Sequence, residues 1–207
     1  MTGSVEQALA PALRAALALS QPGIDLRAEA AGDLDFLAAL YASTRREELA
    51  LVDWPEATKR AFLDQQFHLQ HAHYLQHYAG AEMLLIVAER QARPPLGAQP
   101  DVHWPDSTSS EHDLIGRIYV RGGSTEIRLM EIALLPAYRG RGIGCCLVQA
   151  LQVQAAERSR NITLHVEPNN PVQRLYQRLG FELIEQRGVY DFLGWSPPLS
   201  QSDSLRS

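Results

Sequence analysis

The stretch that most constrains the fold of this chain is Arg-Gly-Arg-Gly-Ile-Gly at residues 139–144, between a predicted strand and a predicted helix. Three glycines at alternate positions leave the backbone free of Cβ atoms where the helix begins. The unpaired amides at the start of a helix can then point at an anion, and the helix dipole favours negative charge there. Apolar residues recur every four positions over residues 143–155, which indicates one buried helix face. The stretch therefore predicts a strand, a phosphate-binding turn and a helix.

The spacing of the glycines excludes two common phosphate-binding loops. A P-loop ends in Gly-Lys-Ser/Thr, but Cys145 and Cys146 follow Gly144 here. A dinucleotide-binding fingerprint needs a third glycine after a two-residue gap, and Leu147 stands at that position. The alternative is a tight strand-to-helix turn that binds no ligand.

Length and charge limit the classes of protein that the chain can belong to. At 207 residues it is long enough for one domain with a substantial core. A net charge of −5 argues against a nucleic-acid surface, and no apolar run approaches the roughly 20 residues of a membrane helix. No basic residue precedes Arg14, which argues against a secretory signal, and the two adjacent cysteines cannot form a disulfide framework. We therefore expect a cytoplasmic protein that binds neither nucleic acid nor membrane.

Periodicity and turn residues predict a mixed α/β domain without internal repeats. An accessory N-terminal helix is expected over residues 1–22, the domain over residues 23–195 and a disordered tail over residues 196–207. Residues 91–112 predict a long hairpin loop because they are rich in proline and lack periodicity. The other predicted elements, in chain order, are a strand at 24–28, helices at 34–46 and 55–78, strands at 83–88, 114–120 and 126–135, a helix at 143–155, a strand at 162–166, a helix at 171–179 and a hairpin at 181–192.

Several polar residues of the first half are candidates for a cap or a ligand site. Asp33 is expected to cap the helix that follows it. The helix at 55–78 carries His68, His71, His73 and His77, but no Cys or carboxylate completes a metal site, so no metal is predicted. These histidines are expected either to line an acceptor groove or to lie on the surface. Glu47, Glu48 and Asp53 are candidates for holding a cationic acceptor.

Two motifs resemble those of the GNAT superfamily of acyl-CoA-dependent N-acyltransferases. The first is Arg-x-x-Gly-x-Gly, met by Arg139, Gly142 and Gly144, which is similar to the pyrophosphate loop of that family. The second, 25 residues after Gly144, is Asn-x-x-Val-x-x-Leu-Tyr-x-x-x-Gly-Phe from Asn169 to Phe181. It departs from the family pattern only in having Val172 for alanine. The resemblance is specific over about residues 113–192.

The resemblance implies a fold and a cofactor site. The fold would be a central mixed, mostly antiparallel sheet with a V-shaped splay and helices on both faces. Acetyl-CoA would lie in the splay, with its pantetheine arm against the backbone of residues 132–134 and its diphosphate on the amides of residues 141–145. The implied cofactor-binding residues are Ile132, Ala133, Leu134, Arg139, Gly140, Arg141, Gly142, Ile143, Gly144, Cys145, Asn169 and Tyr176.

The same resemblance assigns the chemistry of acyl transfer to two residues. An amine titrates near 10.4, so it must lose a proton before it attacks a thioester, and the departing thiolate must gain one. Tyr176 would be the general acid, and Glu131 would be the base or the amine anchor. Strict alternation places Glu131 on the face opposite Ile132 unless a bulge rotates it. Glu126, His165 and a chain of waters stay open as alternatives.

Two classes of function follow from the resemblance. The first is an N-acetyltransferase whose amine acceptor attacks acetyl-CoA directly in a ternary complex. The second is a catalytically silent module that retains the fold and binds CoA, in a regulatory role or as a protein-interaction platform. Protein N-termini, lysines, polyamines and small antibiotics all remain open as acceptors, as does a homodimer.

Overall fold

The computed structural model describes residues 8–89 and 112–198, and within these ranges seven strands form one sheet. The strand order is β1-β2-β3-β4-β5-β7-β6, and all neighbouring pairs are antiparallel except β4 and β5. The elements are α1 (Ala10–Ser20), β1 (Ile24–Ala28), α2 (Leu34–Ala50), α3 (Glu56–His77), β2 (Glu82–Glu89), β3 (His112–Gly122), β4 (Glu126–Leu134), α4 (Ile143–Ala156), β5 (Asn161–Val166), α5 (Gln173–Arg178), β6 (Glu182–Arg187) and β7 (Tyr190–Trp195). The predicted fold class is confirmed.

The sheet splits between its only parallel pair of described strands, β4 and β5. The two strands pair only where Glu126, Ile127 and Arg128 face Asn161, Ile162 and Thr163. Beyond Arg128, β4 continues for six more residues without a partner on that side. Backbone groups therefore stay open along one edge of β4, which is the predicted V-shaped splay.

Helices cover both faces of the sheet and bury a separate apolar core on each. The predicted face of α4 is buried, with Ile143, Leu147, Leu151 and Ala155 at most 2% exposed. Helix α1 packs in this same core, where Leu13 is fully buried. On the other face, α2 and α3 close a smaller core around Phe67. Helix α1 is thus one of the layers that cover the sheet.

A bulge in β4 decides which way Glu131 faces. Tyr119 of β3 lies opposite Glu131 and Val120 lies opposite Leu129, so Met130 is the extra residue between them. Leu129 before the bulge and Ile132 after it both pack into the core beneath α1 and α4. Glu131 consequently faces α2 and α3. Glu131 therefore lies on the face opposite Ile132, as strict alternation predicts, and the bulge changes its face only relative to Leu129.

The prediction that Asp33 caps α2 is wrong. Its carboxylate instead accepts a hydrogen bond from the Ala30 amide at 2.7 Å and pairs with the Arg27 guanidinium at 2.6 Å. The hydrogen bond from Arg27 is the main reason that the pKa of Asp33 lies below its usual value. The ion pair with β1 outweighs local capping because Asp33 is almost fully buried.

Other predicted boundaries shift by a few residues. Helix α2 continues to Ala50 rather than ending near Arg46, and α5 begins at Gln173 rather than at Pro171. The Asn170 side chain still accepts the Val172 amide at 3.0 Å, in a turn just before α5. The predictions for residues 1–7, for the loop up to residue 111 and for the tail from residue 199 lie outside the described residues. None of the helices in residues 8–89 and 112–198 has the length and apolarity needed to cross a membrane.

Candidate active site

The glycine-rich turn presents open amides at the start of α4. Gly140 and Gly142 have φ angles of +72° and +85°, a left-handed conformation that favours glycine. The first amide of the helix with a backbone acceptor is that of Cys146, which bonds to the Gly142 carbonyl at 2.9 Å. Within the described chain, the amides of residues 143–145 have no hydrogen-bond acceptor. They are therefore available to an anion, where the helix dipole also favours negative charge.

The two arginines of the turn have different surroundings. Arg139 donates from Nε to the Leu134 carbonyl at 2.8 Å, which ties the turn back to the end of β4. One of the three strand residues expected to pair with the cofactor therefore already has an internal partner. Arg141 is exposed and its guanidinium lies 5.4 Å from the centre of the Tyr138 ring. Arg141 is thus the arginine whose side chain is free to contact an anion bound at the turn.

A cavity of about 400 Å³ occupies the split between β4 and β5. Its walls come from β4, β5, α3 and the start of α5. Among the residues predicted for the site, it brings together Glu131, Ile132, Ala133 and Tyr176. The predicted Asn169 is exposed, and the neighbouring Asn170 lines the wall instead.

Tyr176 is held on the α5 side of the cavity with its hydroxyl uncommitted. Its side chain is 4% exposed and its ring centre lies 5.5 Å from that of Phe181. No hydrogen-bond partner of the hydroxyl occurs among residues 8–89 and 112–198. Burial, and secondarily the charge of Glu131, raise the pKa of Tyr176 well above its usual value. The phenol therefore stays protonated at neutral pH and can donate a proton.

Glu131 is held from behind by a buried arginine. Arg117 of β3 is 1% exposed and donates from Nη2 to Oε1 of Glu131 and, at 3.1 Å, to Oε1 of Gln70 on α3. The second carboxylate oxygen, Oε2, is buried and has no hydrogen-bond partner in the described part of the chain. The ion pair fixes the carboxylate in place, while Oε2 can still accept a proton or a hydrogen bond from the cavity.

A network of aromatic and polar side chains surrounds the ion pair between Arg117 and Glu131. Tyr74 of α3 lines the cavity, and burial together with the charge of Glu131 raises its pKa above the usual range. Its ring meets that of Tyr119 edge to face at 5.7 Å, and the Tyr119 hydroxyl donates to Glu29. Glu29 also lies 3.4 Å from Nε2 of the buried His71. Side chains from α3, from β3 and from the residue after β1 thus fix the wall behind Glu131.

The other candidates for the base lie toward the end of the split at which β4 and β5 pair. Glu126 accepts a hydrogen bond from Thr163 at 3.0 Å where β4 and β5 are paired, and it does not line the cavity. His165 does line the cavity, but its Nδ1 accepts a hydrogen bond from Arg128. Burial, and then the charge of Arg128, lower the pKa of His165. Of the three carboxyl and imidazole candidates, Glu131 is the one that both lines the cavity and has an open acceptor atom.

Most of the acids and histidines considered as ligands of the acceptor or of a metal do not line the cavity. Glu47, Glu48 and Asp53 do not line the cavity. Of the four histidines on α3, His73 lines it, and its ring lies 4.5 Å from that of His77. No cluster of three or more metal-ligating side chains occurs in the described ranges.

Comparison with known proteins agrees with the class that fold and site define. A split sheet with a glycine-rich turn at the start of the following helix is the GNAT acetyltransferase fold. Residues 108–183 match the acetyltransferase (GNAT) domain family, which is the family that the two sequence motifs resemble.

Two kinds of curated relative each match less than two fifths of the chain. The chain is 35% identical over 82 residues to the mycothiol acetyltransferase of Corynebacterium glutamicum, a match covering 38% of this chain and 28% of that protein. It is 35% identical over 66 residues to the [ribosomal protein bS18]-alanine N-acetyltransferase of Haemophilus influenzae, covering 31% and 45% respectively. The matches therefore span less than half the length of these relatives.

Solved structures extend the likeness of fold over most of the chain. The PaiA N-acetyltransferase of Thermoplasma acidophilum, determined in complex with coenzyme A, aligns with a TM-score of 0.54 at 18% identity, covering 84% of this chain and 98% of that one. The RimL ribosomal L7/L12 alpha-N-protein acetyltransferase aligns with a TM-score of 0.51 at 15% identity, covering 87% and 92%. At such identities the likeness concerns the fold alone.

Proposed function

We propose that this protein is an N-acetyltransferase that moves the acetyl group of acetyl-CoA to an amine by direct attack in a ternary complex. The observation that carries the proposal is the pairing of two groups in the split of the sheet. Tyr176 offers a protonated hydroxyl and Glu131 offers an unpartnered carboxylate oxygen, and both line the same cavity. An acyl transfer to an amine needs one proton acceptor and one proton donor at such a place.

The diphosphate of acetyl-CoA would bind the open amides at the start of α4, with Arg141 adding charge-assisted contacts. The pantetheine arm would run along the unpaired edge of β4 as an added strand, past Ile132 and Ala133. Asn169 stays a predicted contact of the cofactor. This arrangement would place the thioester near Tyr176 and the approaching amine near Glu131.

Glu131 and Tyr176 would move the two protons of the reaction. The ammonium of the acceptor loses its proton to Oε2 of Glu131, directly or through a water, and the neutral nitrogen attacks the thioester carbonyl. The carbon–sulfur bond breaks, and the sulfur takes the proton of the Tyr176 hydroxyl. Arg117 is a positioning residue, since it fixes Glu131 without lining the cavity.

The finer assignments are part of the same proposal. Residues 23–195 would form the transferase domain, with residues 1–22 as an accessory segment whose helix α1 packs against α4. One relative is named a mycothiol acetyltransferase and another a [ribosomal protein bS18]-alanine N-acetyltransferase, so small-molecule and protein amines both suit this proposal. A cytoplasmic location and a homodimer stay predictions.

Thermal unfolding with acetyl-CoA, followed by thiol release against a panel of amines, tests the proposal. A hundredfold excess over Kd should stabilise the fold by about 2.7 kcal/mol. Tyr176→Phe should keep that stabilisation while kcat falls by about 10² or more, because the sulfur loses its proton donor. Tyr41→Phe, which changes a tyrosine that does not line the cavity, is the matched control.

Each possible outcome tests a different part of the proposal. An absent thermal shift would refute the transferase assignment as a whole. A shift without thiol release for any amine would favour the silent CoA-binding module. Normal turnover by Tyr176→Phe would show that the acid is another group.

A further inference from the structure

The closed end of the cavity carries a positive charge that no carboxylate neutralises. Arg128 of β4 is half-buried and lines the cavity. Its guanidinium donates to Thr163 Oγ1 at 3.1 Å and to Nδ1 of His165, and both acceptors are uncharged. Within residues 8–89 and 112–198, no carboxylate lies close enough to form an ion pair with Arg128. Glu126 is the acid whose charge acts on Arg128, and its carboxylate accepts a hydrogen bond from the Thr163 hydroxyl.

His165 adds a second donor beside this guanidinium. A guanidinium can only donate, so the Nδ1 atom that receives its hydrogen bond must be unprotonated, and the ring proton lies on Nε2. His165 lines the cavity, and its Nε2–H remains available as a hydrogen-bond donor there. Arg187 adds to the positive potential around the His165 ring. Its guanidinium lies 4.1 Å from the centre of the Phe192 ring.

The two acids that line the cavity are both committed to other cations. Glu167 pairs with Arg45, and Glu131 pairs with Arg117. Arg128 is thus the cation of this cavity whose charge has no partner within the described chain. Burying a charge without a counter-ion is costly, and a bound anion would relieve that cost.

We propose that the acceptor is an amine that also carries an anionic group, a carboxylate or a phosphate, which binds Arg128 and His165 while the amine faces Glu131. This rests on the proposed transferase function. Because of the bulge at Met130, Arg128 and Glu131 lie opposite Arg121 and Tyr119 of β3, which are two residues and so about 7 Å apart along the strand. The two groups of the acceptor are therefore separated by several bonds, as in an ω-amino acid or an aminoalkyl phosphate. A polyamine would instead place its second ammonium against Arg128.

Four amines of similar length test this assignment: δ-aminovalerate, aminopropyl phosphate, pentylamine and cadaverine. Hydrogen bonds to a charged group contribute about 1.5–3 kcal/mol, so kcat/KM should favour the better of the two anionic amines over pentylamine by about 10- to 100-fold. Cadaverine should be the poorest acceptor because its second charge is repelled. The faster of the two anionic amines identifies carboxylate or phosphate as the group recognised. Two short peptides test whether the anion can come from a protein acceptor. Both have a free N-terminal amine, and they differ only in having Glu or Gln after the N-terminal residue.

Variants of Arg128 separate this inference from the function on which it rests. Arg128→Gln should bring the ratio of kcat/KM between the anionic and the neutral amine close to one, and Arg128→Lys should keep part of it. Arg14→Gln, on α1 and 3.7 Å from Asp25, removes an arginine away from the cavity and should leave the ratio unchanged. Equal use of pentylamine and the anionic amines, or an unchanged ratio in Arg128→Gln, would overturn the inference alone. If the folded protein acetylated none of the amines and peptides, the transferase function itself would be overturned instead.

Discussion

Replacing Arg117 by methionine should destabilise the fold by about 3–5 kcal/mol, which is the usual cost of breaking a buried ion pair from one side. The side chain is 1% exposed, so no water can take its place beside Glu131, whose own side chain is 18% exposed. Two unit charges about 4 Å apart attract by about 4 kcal/mol at an effective dielectric constant of about 20. The cation also lies 5.1 Å from the centre of the Tyr119 ring, a contact that methionine would only partly replace.

The measurement is urea denaturation of the four members of a double-mutant cycle. Most of the loss comes from an uncompensated carboxylate, so Glu131→Gln added to Arg117→Met should restore stability to within about 1–2 kcal/mol of the unmutated protein. The single Glu131→Gln variant leaves the guanidinium unpaired and completes the cycle. Since domains of this size are stable by about 5–15 kcal/mol, the effects lie well within the measurable range.

Two results would refute the reasoning. One is a loss of stability below about 1 kcal/mol in Arg117→Met, and the other is a double variant as unstable as that single variant.

Two further predictions concern the frame that positions the site. Leu13→Ala on α1 should cost about 2–5 kcal/mol in urea denaturation, because the side chain is fully buried, whereas Leu19→Ala, at a site 87% exposed, should change stability by less than about 0.5 kcal/mol. Equal effects would show that α1 does not pack on the domain in solution. Gly180→Ala should cost about 1–3 kcal/mol because its φ is +79°, while Gly32→Ala, with nothing within 4 Å of the added methyl, should be nearly neutral in thermal unfolding. A neutral Gly180→Ala would contradict the left-handed end of α5.

The elements that could be predicted from the sequence are those with local signals. The fourfold spacing from Ile143 to Ala155 describes the buried face of α4, and the alternate glycines describe the turn before it. Both signals depend on residues adjacent in the chain, so tertiary packing has little to add. The motif around Tyr176 likewise places this residue on the wall of the split.

The rest of the site depends on contacts between residues far apart in sequence. Arg117 is the charged residue within the stretch 114–120 of β3, and nothing nearby in the sequence indicates that it meets Gln70, 47 positions away. The orientation of Glu131 depends on the bulge at Met130, which arises from pairing with β3. Asp33 has the residue type and position of a helix cap, yet Arg27 takes its carboxylate. In each case a tertiary contact overrides or completes a local preference.

Hydrogen exchange of the amides at residues 141–145, measured with and without coenzyme A, tests the central claim most directly. If these amides bind the diphosphate, saturating coenzyme A should slow their exchange, whereas acetyl-pantetheine, which lacks the diphosphate, should not. Binding of coenzyme A in calorimetry with unchanged exchange at these five amides would contradict the account.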